Sequence, residues 1–179
     1  MSQSSIEQPL PVRLPTTHYR AATHLRLRSV EQFISGCPDR YFITLTMKRR
    51  VDEMTFTAEV SKALHRVNSR LFGTSYTRRN EVRLATMATQ ERTLNDGLHT
   101  HLLVGVPEGA LALKANPCLV PVPDLIVQEW ISADPQYRRA SGQDARDVYD
   151  FSGARSYISK EIKRLNDFEN FDVLNTIIP

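Results

Sequence analysis

Long apolar runs, paired cysteines and nucleotide-binding loops are all missing from this 179-residue chain. No stretch of about 18 apolar residues occurs, which argues against a membrane-spanning helix, and the first residues lack the apolar segment of a signal peptide. The two cysteines, Cys37 and Cys118, form no CxxC pair, so neither a disulfide framework nor a thiolate zinc site is indicated. A Gly-x-x-x-x-Gly-Lys-Ser/Thr loop is also absent. We therefore expect a cytoplasmic protein with reduced cysteines and no membrane partner.

The composition fits one globular domain preceded by an arm. Hydrophobic residues make up 41% of the chain, which is enough for a core of its own. Residues 1–18 are rich in proline, serine, threonine and glutamine without any hydrophobic period, which predicts a flexible N-terminal arm. Residues 19–179 are then expected to form the single folded domain.

The charge of the chain is unevenly distributed. The formal net charge is +3, and the basic excess lies in residues 1–100. A basic surface is the electrostatic footprint of nucleic-acid binding, although a mildly basic face is more often only solvated. The same two alternatives hold for the stripe of Lys62, Arg66 and Arg70, for which the solvated face is favoured.

Hydrophobic patterning predicts strands and helices in an α+β order. Residues 41–47 alternate β-branched or aromatic residues with polar ones and predict a strand. From about Thr55 to Gly73, apolar residues recur at helical spacing and predict an amphipathic helix. Residues 81–92 predict a second strand, which the polar loop at residues 95–97 would join to the next strand as a hairpin. We expect an antiparallel sheet with helices packed on it.

The other segments have weaker patterns. Residues 19–35 predict a short helix or an irregular segment, and residues 125–131 predict a short helix around the single tryptophan, Trp130. Residues 134–149 are polar and charged, which predicts an exposed segment. The tail, residues 169–179, carries scattered apolar residues and is expected to dock as a short strand or strap.

Two histidines lie in the segment 97–106, which otherwise predicts a buried strand. Because residues i and i+2 of a strand point to the same face, the His99 and His101 imidazoles converge on one side of the sheet. The even-numbered residues of the segment face the other side, where they can pack, and they are Leu98, Thr100, Leu102, Val104 and Val106. Two converging imidazoles predict a metal site.

The register of the hairpin decides what lies beside the histidines. An odd-numbered loop centred on Asn95 pairs Glu91 with His99 and Thr89 with His101. An even-numbered loop, such as a two-residue Asp-Gly turn, would turn Glu91 to the opposite face. The sequence leaves both registers open, and the first one brings a carboxylate to the imidazole pair.

A further helix is predicted over residues 153–168, with Ser152 as its N-cap. At about 100° per residue, a core stripe forms on one side of this helix. Its members are Ala154, Ile158, Ile162 and Leu165. A polar face borders that stripe, and its members are Tyr157, Lys160, Glu161 and Arg164.

These residue types in combination suit phosphoryl transfer. Two imidazoles and a carboxylate with open positions suit Mn²⁺, Zn²⁺ or Fe²⁺, and Mg²⁺ less comfortably. A metal that polarises a phosphate would allow the Tyr157 hydroxyl to attack phosphorus, and Lys160 could offset the charge that develops or lower the pKa of the phenol. A lone HxH or Tyr-x-x-Lys pattern is common by chance, but their ordered combination is much rarer.

In this combination the chain resembles a single-tyrosine HUH endonuclease of the rolling-circle replication initiator (Rep) type. Residues 42–46 resemble the first motif of that family, His99-Thr100-His101 its metal motif, and residues 157–160 its nucleophile motif. The likeness spans roughly residues 41–165. Thr100 departs from the bulky hydrophobic residue that the family usually has between the histidines.

The resemblance implies a sheet-centred palm related to the RNA-recognition fold, and a divalent metal, Mn²⁺ or Mg²⁺. It also implies nicking of single-stranded origin DNA through a 5′-phosphotyrosine, with Tyr157 and Lys160 as catalytic residues and His99 and His101 as metal ligands. Some family members take the third ligand from the neighbouring strand, which matches Glu91, and others from the tyrosine helix, which matches Glu161. We favour Glu91.

The order of motifs narrows the resemblance to an initiator of phage or plasmid replication or a small transposase, because the tyrosine follows the histidines. Without a helicase motif, such an initiator would depend on a host helicase and polymerase. Two other classes stay open. One is a non-catalytic single-stranded DNA-binding protein on the same palm, and the other is an unrelated metal hydrolase in which Tyr157 only donates a hydrogen bond.

Overall fold

The computed structural model describes residues 16–78, 82–92, 97–113, 118–164 and 171–179, and side chains within residues 23–78, 82–92, 97–112, 118–158 and 171–179. One antiparallel sheet lies at its centre, in the strand order β2-β3-β1-β4. Its strands are Asp39–Met47 (β1), Ala85–Arg92 (β2), Leu98–Val106 (β3) and Asp144–Asp147 (β4). The helices are Thr16–Ser35 (α1), Glu53–Phe72 (α2), Thr74–Thr77 (α3), Val122–Ala133 (α4) and Phe151–Arg164 (α5). The predicted α+β class is confirmed.

Alternation along the strands divides the core between the two faces of the sheet. Leu98, Leu102 and Val104 of β3 point to one face, where they pack in the larger cluster with residues of α2 and α4. Leu103 points to the other face, in a second cluster that holds residues of α1 and Ile158 of α5. The odd-numbered residues of β3, which include both histidines, therefore share their face with α1 and α5.

Helix α1 packs closely on β3 at Gly105. A Cβ atom at Gly105 would lie 2.8 Å from Cys37 Sγ and 3.2 Å from a methyl carbon of Ile34, so only glycine allows this approach. The helix begins at Thr16, within the segment predicted to be an arm, and residues 1–15 of that arm lie outside the described residues. Cys37 and Cys118 are both free, as predicted.

Helix α2 starts where its sequence provides a cap. Asp52 accepts a hydrogen bond from the Thr55 backbone N–H at 2.8 Å, and the helix stops at Gly73, whose φ is 56°. This matches the predicted helix. The helix buries Phe56 and the other apolar residues of its repeat against the sheet.

The basic stripe of α2 is partly exposed, and its three side chains also make ion pairs within the fold. Arg66 and Arg70 make ion pairs of 3.0 Å and 2.6 Å with Glu129 of α4, and Lys62 pairs with Glu59 at 2.8 Å. Burial raises the pKa of the Glu129 carboxyl, but the hydrogen bonds from the two arginines outweigh burial and lower its pKa overall. Arg66 and Arg70 therefore fasten α2 to α4, while all three side chains stay partly exposed to solvent, as the favoured prediction of a solvated face requires.

Segment 134–149 is exposed or half-buried as predicted, apart from Arg138 and Val148, but it is more structured than its pattern indicated. It contains β4, whose backbone pairs with β1 from Thr44↔Asp144 to Tyr41↔Asp147. It also contains Arg138, which is only 2% exposed, donates to Glu59 at 2.7 Å and has its guanidinium 3.9 Å from the ring centre of Trp130. The sequence did not indicate this strand because its residues are polar. An edge strand is held by backbone hydrogen bonds, which do not require a periodic pattern of side chains.

The start of α5 also differs from the prediction. The helix begins at Phe151, so Ser152 lies in its first turn and Asp150 occupies the N-cap position, where its carbonyl accepts from the Ala154 N–H. The helix is described as far as Arg164. Ile158 is fully buried and Ala154 packs against the same cluster, which confirms that part of the predicted core stripe, while the side chains of Ile162 and Leu165 lie outside the described residues.

The described end of the tail, residues 171–179, docks along β2 as predicted. Isolated bridges join Thr86 to Ile177 and Thr89 to Phe171. Through these bridges the strap covers the outer edge of β2, which would otherwise present unpaired backbone groups. Among the described residues, no helix is both long enough and apolar enough to cross a membrane.

Candidate metal centre

The β2–β3 register brings a carboxylate to the two histidines. Glu91 pairs with His99 and Thr89 with His101, which is the odd-loop register that the sequence left open against its alternative. The Glu91 Oε2 atom lies 3.0 Å from His99 Nε2 and 3.5 Å from His101 Nε2. One ligand atom from each of the three residues falls within 4.8 Å of the others. Glu91, His99 and His101 are hereafter the metal-ligand group.

The His101 ring is held from behind by the neighbouring strand. Thr44 of β1 stands opposite His101, and its Oγ1 lies 3.0 Å from His101 Nδ1. Phe42, two residues earlier on the same face, stacks on the imidazole with ring centres 5.6 Å apart. These contacts aim Nε2 at Glu91.

The other ring nitrogen of His101 supports the assignment of a metal site. His101 is 5% exposed, and its buried Nε2 makes no well-formed hydrogen bond with any described residue, since Glu91 Oε2 lies 3.5 Å away. A buried polar atom without a partner is costly unless something else satisfies it. A metal ion bound at Nε2 would satisfy it, so the three residues fit such a group.

The protonation state of His101 is also suited to a ligand. Burial, and next the neighbouring His99, lower the pKa of His101 below its ordinary value. The ring is therefore neutral at pH 7, which is the form that binds metals. In the tautomer whose Nδ1–H donates to Thr44 Oγ1, the lone pair of Nε2 points toward Glu91 and His99.

Tyr157 lies beside this group. Its ring centre is 5.2 Å from that of His101 and 5.5 Å from that of Phe42, edge-on in both cases. The side chain is half-exposed, whereas the next residue, Ile158, is fully buried and fixes this turn of α5 on the sheet. An ion pair of 3.0 Å from Arg155 to Glu31 of α1 adds a second attachment. The fold thus places a tyrosine next to the metal-ligand group, as the helix was expected to do.

Two of the predicted site residues cannot be located in this way. The backbone of Lys160 and Glu161 belongs to α5, but their side chains lie outside the described residues. The catalytic role of Lys160 and the alternative ligand Glu161 therefore stay predictions. Glu91 is at the position that the favoured assignment requires.

A cavity of about 690 Å³ adjoins the metal-ligand group, between the β1–β4 edge and α5. His101 and Tyr157 form part of its wall, together with residues 144, 146–150 and 154. The sequence analysis missed this wall because it depends on β4. Tyr149 could have indicated this wall from the sequence, because it is an aromatic residue in an otherwise polar segment. In the structure its side chain is 90% exposed.

Comparison of the chain with protein-family models, with curated proteins and with solved structures finds no match. The chemistry open to the site therefore follows from its own residues. These are a converging pair of imidazoles with a carboxylate, a tyrosine at their edge, and a cavity that touches both.

Proposed function

We propose that this protein is a metal-dependent endonuclease that nicks and rejoins single-stranded DNA through a tyrosine. Its substrate would be the replication origin of a phage or plasmid copied by the rolling-circle route. The observation that carries the proposal is the placement of Tyr157, whose ring centre lies 5.2 Å from that of His101, a member of the metal-ligand group.

The metal-ligand group would hold a divalent ion, Mn²⁺ or Mg²⁺, that polarises the scissile phosphate and stabilises the charge developing on it. The nitrogen donors His99 and His101 favour Mn²⁺ between these two. Thr44 and Phe42 keep the His101 ring in the orientation that binding needs. The buried Ile158 keeps α5, and with it Tyr157, in place.

The covalent step follows from the phenol. The Tyr157 oxygen attacks phosphorus and loses its proton to solvent, and the bond from phosphorus to the 3′ oxygen breaks. That oxygen gains a proton and leaves as a free 3′-hydroxyl, while the 5′ end stays on the protein as a phosphotyrosine. One ester replaces another, so the reverse attack by a 3′-hydroxyl rejoins the strand.

Lys160 is proposed to assist this step. It follows Tyr157 by three residues in α5, and positions i and i+3 of a helix are neighbours on its surface. A cation there would stabilise the phosphate charge in the transition state or lower the pKa of the phenol. The 3′-hydroxyl would then prime a host polymerase, and a host helicase would separate the strands.

The test is a covalent adduct on a denaturing gel. The protein is incubated with Mn²⁺ and a pool of labelled single strands that includes sequences from candidate origins. We expect a labelled protein band that Tyr157→Phe and His99→Ala abolish. Tyr76→Phe, on α3, is the matched control and should keep the band.

Other outcomes would indicate other functions. Strands that are shifted on a native gel but never cut or linked, with the origin present, would favour a non-catalytic single-stranded DNA-binding protein. Cutting without any adduct would favour a metal hydrolase that uses water. An initiator and a small transposase would both join the adduct to a second DNA. The natural DNA target distinguishes these two functions.

A further inference from the structure

The cavity beside the metal-ligand group has the size and walls of a ligand site. Its volume of about 690 Å³ lies within the range of about 300–1,000 Å³ that is typical of small-molecule pockets. Phe42 and Thr44 of β1 form its floor, and α5 contributes Ala154 and Tyr157. The opposite wall comes from β4 and the residues that lead into α5.

An aromatic ring stands exposed on that wall. Tyr149 is 90% exposed, and its hydroxyl donates to Asp147 Oδ2 at 3.2 Å, which restrains the ring at one end. Phe42 and Tyr157 supply two further rings, packed edge-on with 5.5 Å between their centres. Exposed aromatic rings next to a strand-binding site are the usual platform on which single-stranded bases stack.

The charge of the wall excludes a phosphate and favours a base. Three aspartates, Asp144, Asp147 and Asp150, line the cavity against one arginine, Arg146, which Asp144 already binds at 2.7 Å. A phosphate would be repelled here. Carboxylates only accept hydrogen bonds, and each has about four lone-pair positions, so Asp144 and Asp147 keep free acceptors.

The cavity also reaches the reacting centre. His101, which is 95% buried, belongs to the metal-ligand group and also lines the cavity. Tyr157 lines the cavity as well. A base in the cavity would therefore belong to a nucleotide beside the scissile phosphate.

We propose that this cavity binds one nucleobase next to the cleavage point, and that its preferred base is guanine. Tyr149 stacks on the base, and the Asp144 carboxylate, which pairs with Thr44 in the β1–β4 register and so shares the face of His101, accepts its N–H groups. Guanine alone presents two adjacent donors, N1–H and the 2-amino group, to such an acceptor. Adenine and cytosine place a ring acceptor beside their amino group, and thymine flanks its N–H with two carbonyls, so all three meet repulsion.

This inference rests on the proposed function, because it places the base beside the phosphate that is cleaved. Its test is a binding measurement that requires no nicking. Fluorescence anisotropy is recorded in a chelating buffer with oligothymidylates that carry one dG, dA, dC or deoxyinosine near the centre. Inosine keeps N1–H and lacks the 2-amino group. We expect the dG strand to bind about 5- to 150-fold more tightly than the all-thymine strand, as for a good bidentate contact, and inosine to fall between them.

Variants separate stacking from base reading. Tyr149→Ala should weaken binding of every strand by about 5- to 150-fold, and Tyr149→Phe should keep most of the affinity because the ring remains. Asp144→Asn should remove the preference for dG. Asp124→Asn on α4 lies outside the cavity and removes the same charge, so it should keep that preference.

Equal affinity of the wild-type protein for all five strands, or a Tyr149→Ala variant that binds like the wild type, would overturn the inference. Its failure is distinct from failure of the proposed function. A covalent adduct without base preference refutes only the base site. A preference for dG without any adduct supports the base site and refutes the endonuclease.

Discussion

The contact between Thr44 and His101 provides the sharpest test of the metal centre. Thr44→Val keeps the shape of the side chain and removes the oxygen that lies 3.0 Å from His101 Nδ1. Valine cannot accept from Nδ1–H, so nothing on β1 then selects the tautomer whose Nε2 lone pair faces Glu91. The variant should therefore bind metal more weakly while its ligands are all still present.

The size of the effect can be estimated from the position of Thr44. It touches a ligand rather than the metal, and the loss of such a partner typically lowers metal affinity about 10- to 100-fold. This corresponds to about 1.4 to 2.8 kcal/mol of binding free energy. The metal-free variant should also lose about 1 to 3 kcal/mol of folding stability, because Nδ1 of a nearly buried ring loses its partner.

Isothermal titration with Mn²⁺ at fixed pH and without DNA measures the affinity, and urea unfolding in chelator measures the stability. Thr44→Ser keeps the hydroxyl and should restore binding. Thr46→Val makes the same change on the same face, opposite His99, where the hydroxyl has no hydrogen bond to any described residue, and should bind like the wild type. Unchanged affinity in Thr44→Val, or an equal loss in Thr46→Val, would refute the role given to Thr44.

Three further predictions concern the fold. Gly105→Ala should cost about 1–3 kcal/mol in urea unfolding because the new methyl meets Cys37, whereas Gly36→Ala, with no atom closer than 3.5 Å, should cost less than Gly105→Ala. Glu59→Gln leaves the buried Arg138 guanidinium without its counter-charge and should cost about 3 kcal/mol in the same assay. Hydrogen bonds from Lys62, and next from Arg138, lower the pKa of Glu59, so wild-type stability should fall as the pH drops below about 4.5. In Glu59→Gln this part of the acid dependence should be missing, and an identical pH profile for the two proteins would contradict the assignment.

Much of the sheet was predictable because its pattern is local. The alternation in β1 and the face of β3 that is apolar except at Thr100 each specify a strand, and the caps at Asp52 and Gly73 specify the ends of α2. The pairing of the two histidines on one face also follows from strand geometry alone. What the hairpin sequence left open was its register, since loops of odd and even length were both possible, and the structure shows Glu91 beside His99.

The features that the sequence analysis missed depend on contacts with residues that are distant in the chain. Strand β4 forms because β1 offers an unpaired edge. Its own four residues are three charged residues and an alanine, and this pattern does not predict a strand. In the sequence, Arg66 and Arg70 form a stripe that would face solvent or a phosphate. Their ion pairs with Glu129 of α4 exist only in the folded chain. In each case the deciding interaction joins residues that lie far apart in sequence.

The sequence by itself determined the α+β class, two imidazoles on one face of a strand, and a tyrosine on the border of a helix's core stripe. These features depend on the repeats of strand and helix, which the chain carries locally. Only the tertiary structure decided that Glu91 completes the metal-ligand group and that Thr44 orients His101. It also decided that Tyr157 lies beside His101. The reason is that register, strand order and the seating of α5 are set by packing between distant segments, and a site built from three strands and a helix exists only after that packing.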